Sequence, residues 1–170
     1  RGVAKMGVSM PDDRQACINS FATGCFRDIA DGDYIAARMC FRLDLFHQFH
    51  WSALQALEKY LKAILLYNNL SAKGKSHRIR DLFQKVLSIP DIEFDFPAQV
   101  NETVEYFHHF GPNRYFEFPY FVRTEDLIHL DAAVWHIRRY CTYLRTTFVE
   151  DDGQEDSLFE WELNKIQADN

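Results

Sequence analysis

Positively charged and imidazole side chains collect between residues 73 and 80, where a polar loop leads into a predicted helix. Ser76 is placed to cap that helix, and the free N–H groups and dipole of a helix N-terminus favour an anion. A basic loop alone is most often only solvated, so the helix behind it is what favours a ligand. We therefore predict contact with a phosphate or a nucleic acid at Lys75, Ser76, His77, Arg78 and Arg80.

Arg114 and Tyr115 form a second candidate site, since a guanidinium can hold a phosphate and an aromatic ring can stack on a base. His108 and His109 precede Arg114 by six and five residues, and a Gly-Pro turn between them could fold the imidazoles back. A base and a cation are what metal-free RNA cleavage needs. The alternative is structural, because adjacent histidines on a helix point to different faces.

Other familiar chemistries are not indicated. His47 and His50 could share a helix face, but no third metal ligand has recognisable spacing. Gly-rich phosphate loops and Ser-His-Asp arrangements are absent. We expect no metal and no cofactor, and the four cysteines, which lack C-x-x-C spacing, are predicted to be free buried thiols.

The stretch 53–66 predicts a strong helix that is apolar round most of its circumference, yet it carries Glu58, Lys59 and Lys62. Glu58 precedes Lys62 by four residues, the favourable order for an ion pair on one helix face. We assign these three residues a structural role. The apolar positions of this helix, which must be buried on two sides, are Phe49, Ala53, Ala56, Leu57, Tyr60, Leu61, Ile64, Leu65 and Tyr67.

Periodicity and caps predict four further helices. The first begins at an Asp33 cap and faces inward with Ile35, Ala36, Met39 and Leu43. A third helix after Ser76 buries Ile79, Leu82, Phe83 and Val86, and a fourth spans about residues 98–110. Thr124 caps a long final helix whose seam runs through Leu127, Leu130, Val134, Ile137, Cys141, Leu144 and Phe148. Residues 91–97 alternate like a strand but have no partner strand, so we expect an extended connector.

These elements predict an all-α fold, an antiparallel up-and-down bundle of four to five helices. The 170 residues suit one domain. We divide the chain into an N-terminal leader (1–30), a helical domain (31–149) and an acidic tail (150–170), which holds eight acids and one lysine. No segment has the length and apolar character of a membrane span or a signal peptide, which predicts a cytoplasmic protein.

Several segments occur in the order and at the spacing of a known family. They are Asp-Tyr-Ile-Ala-Ala-Arg (33–38), Ala-Leu-Glu-Lys-Tyr-Leu-Lys-Ala (56–63), His77 with Leu82, and Arg114-Tyr115 followed by Pro119. Together they resemble the HEPN family over about residues 31–148. The resemblance implies an antiparallel helical bundle, a homodimer, and binding of nucleotide or RNA, with a nucleotidyltransferase as partner of the non-catalytic members.

Ribonuclease members of this family carry an Arg, usually followed by a polar residue, and a His four to six residues later near the start of the last helices. At Arg114 the chain departs from that pattern, because residues 118–120 are Phe, Pro and Tyr and no His occurs before His129. The other branch has an Arg-Tyr-Pro-acid motif, which Arg114-Tyr115 with Pro119 resembles with an insertion. We therefore predict the Arg-Tyr-Pro branch and assign no enzyme activity.

The resulting expectation is a domain that binds nucleotide or RNA phosphate and acts with a partner such as a nucleotidyltransferase. Two alternatives stay open. One is a metal-independent ribonuclease of the toxin type, using Arg114 with His108 or His109. The other is a homodimeric interaction module without a ligand.

Overall fold

The computed structural model describes residues 13–73, 78–90, 92–112, 122–142, 147–149 and 155–157. The helices are α1 (Asp13–Ala22), a π turn (Thr23–Arg27), α2 (Asp28–Arg42), α3 (Phe46–Tyr67), α4 (Ile79–Leu87), α5 (Ala98–Phe110) and α6 (Thr124–Arg138). Two three-residue strands, β1 (Thr147–Val149) and β2 (Glu155–Ser157), pair antiparallel. The predicted all-α bundle is confirmed, and within the described residues one short antiparallel strand pair is added.

The chain is helical without a break from α1 through the π turn into α2, since the backbone at both ends of that turn keeps right-handed helical angles. Thr23 in the turn donates a hydrogen bond to the Asn19 carbonyl at 2.9 Å. The Tyr67 hydroxyl of α3 lies 2.6 Å from the Thr23 oxygen and donates to it, because the single hydroxyl hydrogen of Thr23 is already used. Because α2 begins at Asp28, Asp33 lies inside the helix, and the N-cap predicted there is wrong.

Helix α3 is the centre of the bundle and contacts α1, α2, α4, α5 and α6. Its predicted apolar circumference is confirmed, because every one of those positions is buried: Phe49, Ala53, Ala56, Leu57, Tyr60, Leu61, Ile64, Leu65 and Tyr67. Among the described helices, none combines the length and the apolar composition needed to span a membrane.

A residue with a left-handed backbone follows both α2 and α3, two residues after the last helical residue: Asp44 and Asn69, each with φ of 58°. The N–H of Leu45 then donates to the Cys40 carbonyl at 2.8 Å, and Leu70 makes the equivalent bond, also at 2.8 Å. These are Schellman ends, in which Asp or Asn stands where Gly is most common. The first of them reverses the chain between α2 and α3.

The inward face predicted for α2 is wrong. Ala30 and Ala37 are fully buried, whereas Ile35, Met39 and Leu43 are 57%, 58% and 64% exposed, and Ala36 is half-buried. The small alanine side chains let α2 approach α3 closely, so the larger apolar row lies on the other side of the helix.

The burial predicted for α4, the extended connector and the bounds of α5 are confirmed. The cap predicted for α4 is wrong, because the helix begins at Ile79 and Arg78, not Ser76, occupies its N-cap position. The predicted inward residues Ile79, Leu82, Phe83 and Val86 of α4 are buried. Residues 92–97 have no regular structure, and the rings of Phe94 and Phe96 pack on Tyr140 with centroids 4.9 and 5.2 Å away. Helix α5 has the predicted bounds. It stops at Gly111, where a Cβ would lie 2.7 Å from the Leu54 Cβ of α3.

Helix α6 is shorter than predicted. It ends at Arg138, after which Tyr140 and Cys141 bond to carbonyls three residues back, a pattern that tightens the last turn. Tyr140 there packs on the connector, and its hydroxyl accepts the Asp95 N–H at 2.9 Å. The seam through Leu130, Val134, Ile137 and Cys141 is buried, but Leu144 lies outside the described residues and Phe148 belongs to β1.

Asp31 ties three helices together. Its carboxylate accepts the Tyr60 hydroxyl of α3 at 2.6 Å and the Arg138 guanidinium of α6 at 2.6 and 2.7 Å. Burial alone would raise the pKa of Asp31, but the hydrogen bonds from Arg138 and Tyr60 outweigh it and lower that pKa. A second carboxylate, Asp131, accepts the Tyr34 hydroxyl of α2 at 2.7 Å. Helix α6 is therefore fixed against α2 by polar contacts.

The prediction for the cysteines is half right. All four are free thiols, as expected. Only Cys141 is buried, whereas Cys17 and Cys25 are exposed and Cys40 is intermediate. Cys17 and Cys25 lie on α1 and the π turn, whose apolar pattern is too weak to mark an inward face from the sequence.

Candidate functional site

The predicted basic loop is described only in part. Arg78 lies 2.6 Å from the Asp81 carboxylate, and its side chain is 63% exposed. Arg80 makes a bidentate contact with Glu105 of α5. A phosphate would have to compete with a carboxylate for either guanidinium. The other predicted ligand-binding residues, Lys75, Ser76, His77, Arg114 and Tyr115, lie outside the described residues.

The three charged residues on α3 make contacts inside the bundle. Lys62 lies 2.5 Å from Glu58, and the Glu58 side chain is 7% exposed. Lys59 lies 2.5 Å from Asp33 of α2. These pairs join α3 to itself and to α2 rather than facing a ligand.

The candidate catalytic histidines are adjacent on α5 and differ in exposure. His109 is exposed and packs its ring against Phe110, with centroids 4.8 Å apart. His108 is half-buried. Arg114, the predicted partner of either histidine, is outside the described residues, so that pairing stays a prediction. Within the part of the chain that the structure describes, no three His, Cys, Asp or Glu side chains are placed to bind a metal ion.

A more concrete arrangement surrounds the start of α6. The Asp126 carboxylate, of which 1% is exposed, accepts the backbone N–H of Arg123 at 2.9 Å. It also lies 3.3 Å from the Arg123 guanidinium and accepts the Tyr106 hydroxyl of α5 at 3.0 Å. An acid at the third position of a helix commonly bonds back to the cap residue in this way. The cap predicted at Thr124 is therefore wrong, because Arg123 occupies the N-cap position and Thr124 is the first residue of the helix.

These groups border a polar cavity of about 180 Å³ between α5 and α6. Arg123, Asp126 and His129 line it from α6. The lining from α5 is polar as well and consists of Gln99, Glu102, Thr103 and Tyr106. Because 63% of the Arg123 side chain is exposed, an anion arriving from solvent can reach the guanidinium. A cation and an imidazole therefore meet at one small, accessible cavity.

A larger hollow, of about 1000 Å³, lies beside α1 and the C-terminal end of α3. Phe21, Phe26 and Leu66 are among its lining residues, together with the cations Lys62 and Lys73. Lys62 is already paired with Glu58. The many apolar side chains suit an apolar group better than a phosphate, so the cavity at α6 is the stronger candidate for anion binding.

The family model for the HEPN domain matches residues 25–140. The chain belongs to the HEPN family. No curated protein and no solved structure matches it significantly. The match covers α2 to α6 and therefore contains the cavity at the start of α6.

The family assignment brings out a pair of residues that the sequence reasoning missed. Ribonuclease members of the HEPN family have an Arg, a polar residue next to it and a His four to six residues later. Arg123, Thr124 and His129 meet that description at the start of α6, with His129 six residues after Arg123. The signal that identifies them is the spacing of these three residues in the sequence. The structure brings both side chains to the same cavity.

Proposed function

We propose that this HEPN domain binds RNA by its phosphates at the cavity between α5 and α6. The observation that carries the proposal is that Arg123 and His129 line one cavity at the N-terminus of a fifteen-residue helix. A guanidinium can bind a phosphate through two hydrogen bonds, and the helix end adds a positive potential. The Arg123 guanidinium lies 3.3 Å from the Asp126 carboxylate, a long contact that a phosphate can replace.

The basic residues on α4 support the same surface. Arg80 contacts Glu105, which lies one helical turn from Glu102 on the cavity side of α5. A strand of RNA that occupies the cavity can therefore extend toward Arg80. The predicted roles of Lys75, Ser76 and His77, which lie outside the described residues, remain predictions.

The test measures binding of a fluorescein-labelled single-stranded oligoribonucleotide over a range of salt concentrations. Arg123→Ala should weaken binding by about tenfold or more and lower the salt slope by about 0.7, the value for one lost phosphate contact on a single strand. Arg27→Ala is the matched control, because Arg27 is also paired with a carboxylate, Asp28, but lies on the π turn. Equal affinity and slope for the Arg123 variant and the wild type would reject the proposed site.

Metal-independent cleavage of RNA is the second candidate, favoured by the spacing of Arg123 and His129 and by their shared cavity. In such a reaction His129 would take the proton of a ribose 2′-hydroxyl, and that oxygen would attack the adjacent phosphorus. Arg123 would stabilise the charge on the pentacoordinate phosphate. The 5′-oxygen would leave with a proton from solvent, and His129 would return the proton it took to solvent. The products would be a 2′,3′-cyclic phosphate and a 5′-hydroxyl.

Cleavage is tested with purified protein and RNA in excess EDTA. If the second candidate is right, His129→Ala abolishes cleavage while RNA binding persists. Loss of cleavage in His109→Ala or His108→Ala, with His129→Ala unaffected, would instead support the pairing predicted around Arg114. RNA that stays intact with the wild-type protein would leave binding as the function.

Self-association belongs to the same proposal. Large apolar side chains on the outer faces of α2 and α6 are exposed: Ile35 57%, Met39 58%, Ile128 59% and Trp135 70%. Exposed apolar groups on two helices that contact each other are typical of an interface between proteins. A homodimer by sedimentation, lost in Met39→Glu, would support a second copy as the partner. A monomer would favour a different partner on this face, such as the nucleotidyltransferase that the family resemblance implies.

A further inference from the structure

His50 is a buried histidine of α3 that lies behind the cavity, with 2% of its surface exposed. Its Nδ1 lies 2.8 Å from the carbonyl oxygen of Phe46, one turn earlier in the helix. A carbonyl oxygen only accepts hydrogen bonds, so Nδ1 carries a hydrogen and donates it. In the neutral ring, Nε2 is therefore an acceptor.

The Tyr106 hydroxyl lies between two groups that both need its hydrogen. It is 2.9 Å from His50 Nε2 and 3.0 Å from Asp126 Oδ2. A neutral His50 and an ionised Asp126 are both acceptors at those atoms, and a tyrosine hydroxyl has one hydrogen to donate. One of the two short contacts then has no hydrogen in it.

If Nε2 of His50 also carries a proton, both contacts of the Tyr106 hydroxyl contain a hydrogen. The imidazolium of His50 donates to the Tyr106 oxygen, and Tyr106 donates to Asp126. Asp126 also accepts the Arg123 N–H and faces the Arg123 guanidinium. Proton uptake changes the summed charge of His50 and Asp126 from −1 to zero.

Burial opposes that proton in the free protein. Desolvation lowers the pKa of His50, while the Phe46 carbonyl and the charge of Asp126 act in the opposite direction without overcoming it. Among the described residues, the charged or titratable groups next to His50 or at the cavity are His47 of α3, Glu102 and Tyr106 of α5, Asp126 and His129 of α6, and Arg123 at the N-cap of α6. At neutral pH His50 is therefore neutral, and one of the two contacts of the Tyr106 hydroxyl has no hydrogen in it.

We propose that His50 is a positioning residue for this cavity, and that phosphate binding there is coupled to uptake of one proton by His50 through Tyr106 and Asp126. The coupling rests on the proposed function, since a phosphate is the ligand. A phosphate that takes the Arg123 guanidinium away from Asp126 leaves two negative charges close together. The proton, supplied by solvent, offsets that repulsion, so binding raises the pKa of His50 and affinity rises as pH falls.

The hydrogen-bonded series His50–Tyr106–Asp126 is called the relay. It is measured first in the free full-length chain, by 15N NMR of the histidine side chains. We expect a neutral His50 with its hydrogen on Nδ1 and a pKa below the usual value of about 6.5. Asp126→Asn removes the attracting charge and should lower that pKa further. A hydrogen on Nε2 in the neutral ring, or a pKa that Asp126→Asn leaves unchanged in the folded variant, would overturn the relay whether or not RNA binds.

The coupling is then measured with the single-stranded oligoribonucleotide as probe. Saturation should raise the His50 pKa in the wild type, and a rise of one unit corresponds to about a tenfold gain in affinity at low pH. Tyr106→Phe should abolish the rise while Arg123 still binds. Because His129 lines the same cavity, pH profiles are compared in a His129→Gln background.

In that background, His50→Gln should flatten the remaining pH dependence, since an amide can donate to Tyr106 without titrating. An oligonucleotide that binds with no change in the His50 pKa would overturn the coupling and leave the proposed function standing. An oligonucleotide that does not bind would overturn the proposed function and the coupling together. The relay in the free protein is judged by its own measurement.

Discussion

Replacing Gly111 with Ala should destabilise the protein, although the glycine has ordinary helical backbone angles and the change adds one methyl group. That Cβ would lie 2.5 Å from the Phe107 carbonyl oxygen and 2.7 Å from the Leu54 Cβ. Neither atom is the end of a flexible chain, because one is backbone and the other is the root of a buried side chain. Helix α5 must therefore move away from α3, and overpacking of this kind typically costs about 1–3 kcal/mol.

The assay is thermal and urea unfolding followed by circular dichroism. For a domain of this size each kcal/mol lowers the Tm by roughly 2–4 °C, so the expected fall is roughly 2–12 °C. Gly32→Ala is the matched control, because Gly32 lies inside α2 and nothing is within 4 Å of its added Cβ. That variant should gain roughly 0.5–1 kcal/mol from helix propensity. A Gly111→Ala protein as stable as the Gly32→Ala protein would refute the packing of α5 on α3.

Three further predictions follow from described contacts. Asp31→Asn should reduce stability at neutral pH. It should also weaken the fall in the free energy of unfolding toward acid pH. The lowered pKa of Asp31 in the folded state stabilises the protein above the unfolded pKa of about 3.9, and this gain is lost as the pH falls through the folded pKa. Urea unfolding at pH 7 and pH 3 measures the effect, and equal losses of stability in both proteins would contradict it. In the native protein iodoacetamide should label Cys17 readily but Cys141 only after unfolding, because burial raises the pKa of the Cys141 thiol; mass spectrometry of digests reads the sites, and early labelling of Cys141 would show that the core is open. Lys62→Ala should cost about 1–3 kcal/mol in the free energy of unfolding by removing a cation from the buried Glu58, and an unchanged urea midpoint would show that other groups neutralise this carboxylate.

Much of the helical organisation could be predicted from short-range patterns. The Gly-Pro pair after Phe110 ends α5 where expected, and the apolar residues of α3 are buried all round. Both signals depend on residues within a few turns of each other. Tertiary context decided the cases that failed: Ala30 and Ala37 pack inward because α2 lies close to α3, which no apolar moment of α2 alone reveals.

The end of α6 is a second case of that kind. The apolar period continues past Arg138, yet the helix stops where Tyr140 packs against Phe94 and Phe96. Those partners are more than forty residues away in the sequence. A periodic pattern can show which face is buried, but it cannot show where a distant contact ends the helix.

Only part of the candidate site could be predicted from the sequence. The spacing of Arg123, Thr124 and His129 was readable, whereas the cavity that joins them to Tyr106 depends on how α5 packs against α6. His50 looked like half of a weak metal site. Its role in the hydrogen-bonded chain depends on an atom of Tyr106, fifty-six residues later, being 2.9 Å away.

The central position of α3 has a consequence for how the molecule opens. Its amides are screened by neighbours on every side, so we expect them to exchange with deuterium only when the whole domain unfolds. The amides of α4, a nine-residue helix with one exposed face, should exchange through smaller local openings. His50 lies on α3, whose amides are expected to exchange slowly. Its ring is therefore a fixed reference for measuring the rates of movements at the mouth of the cavity.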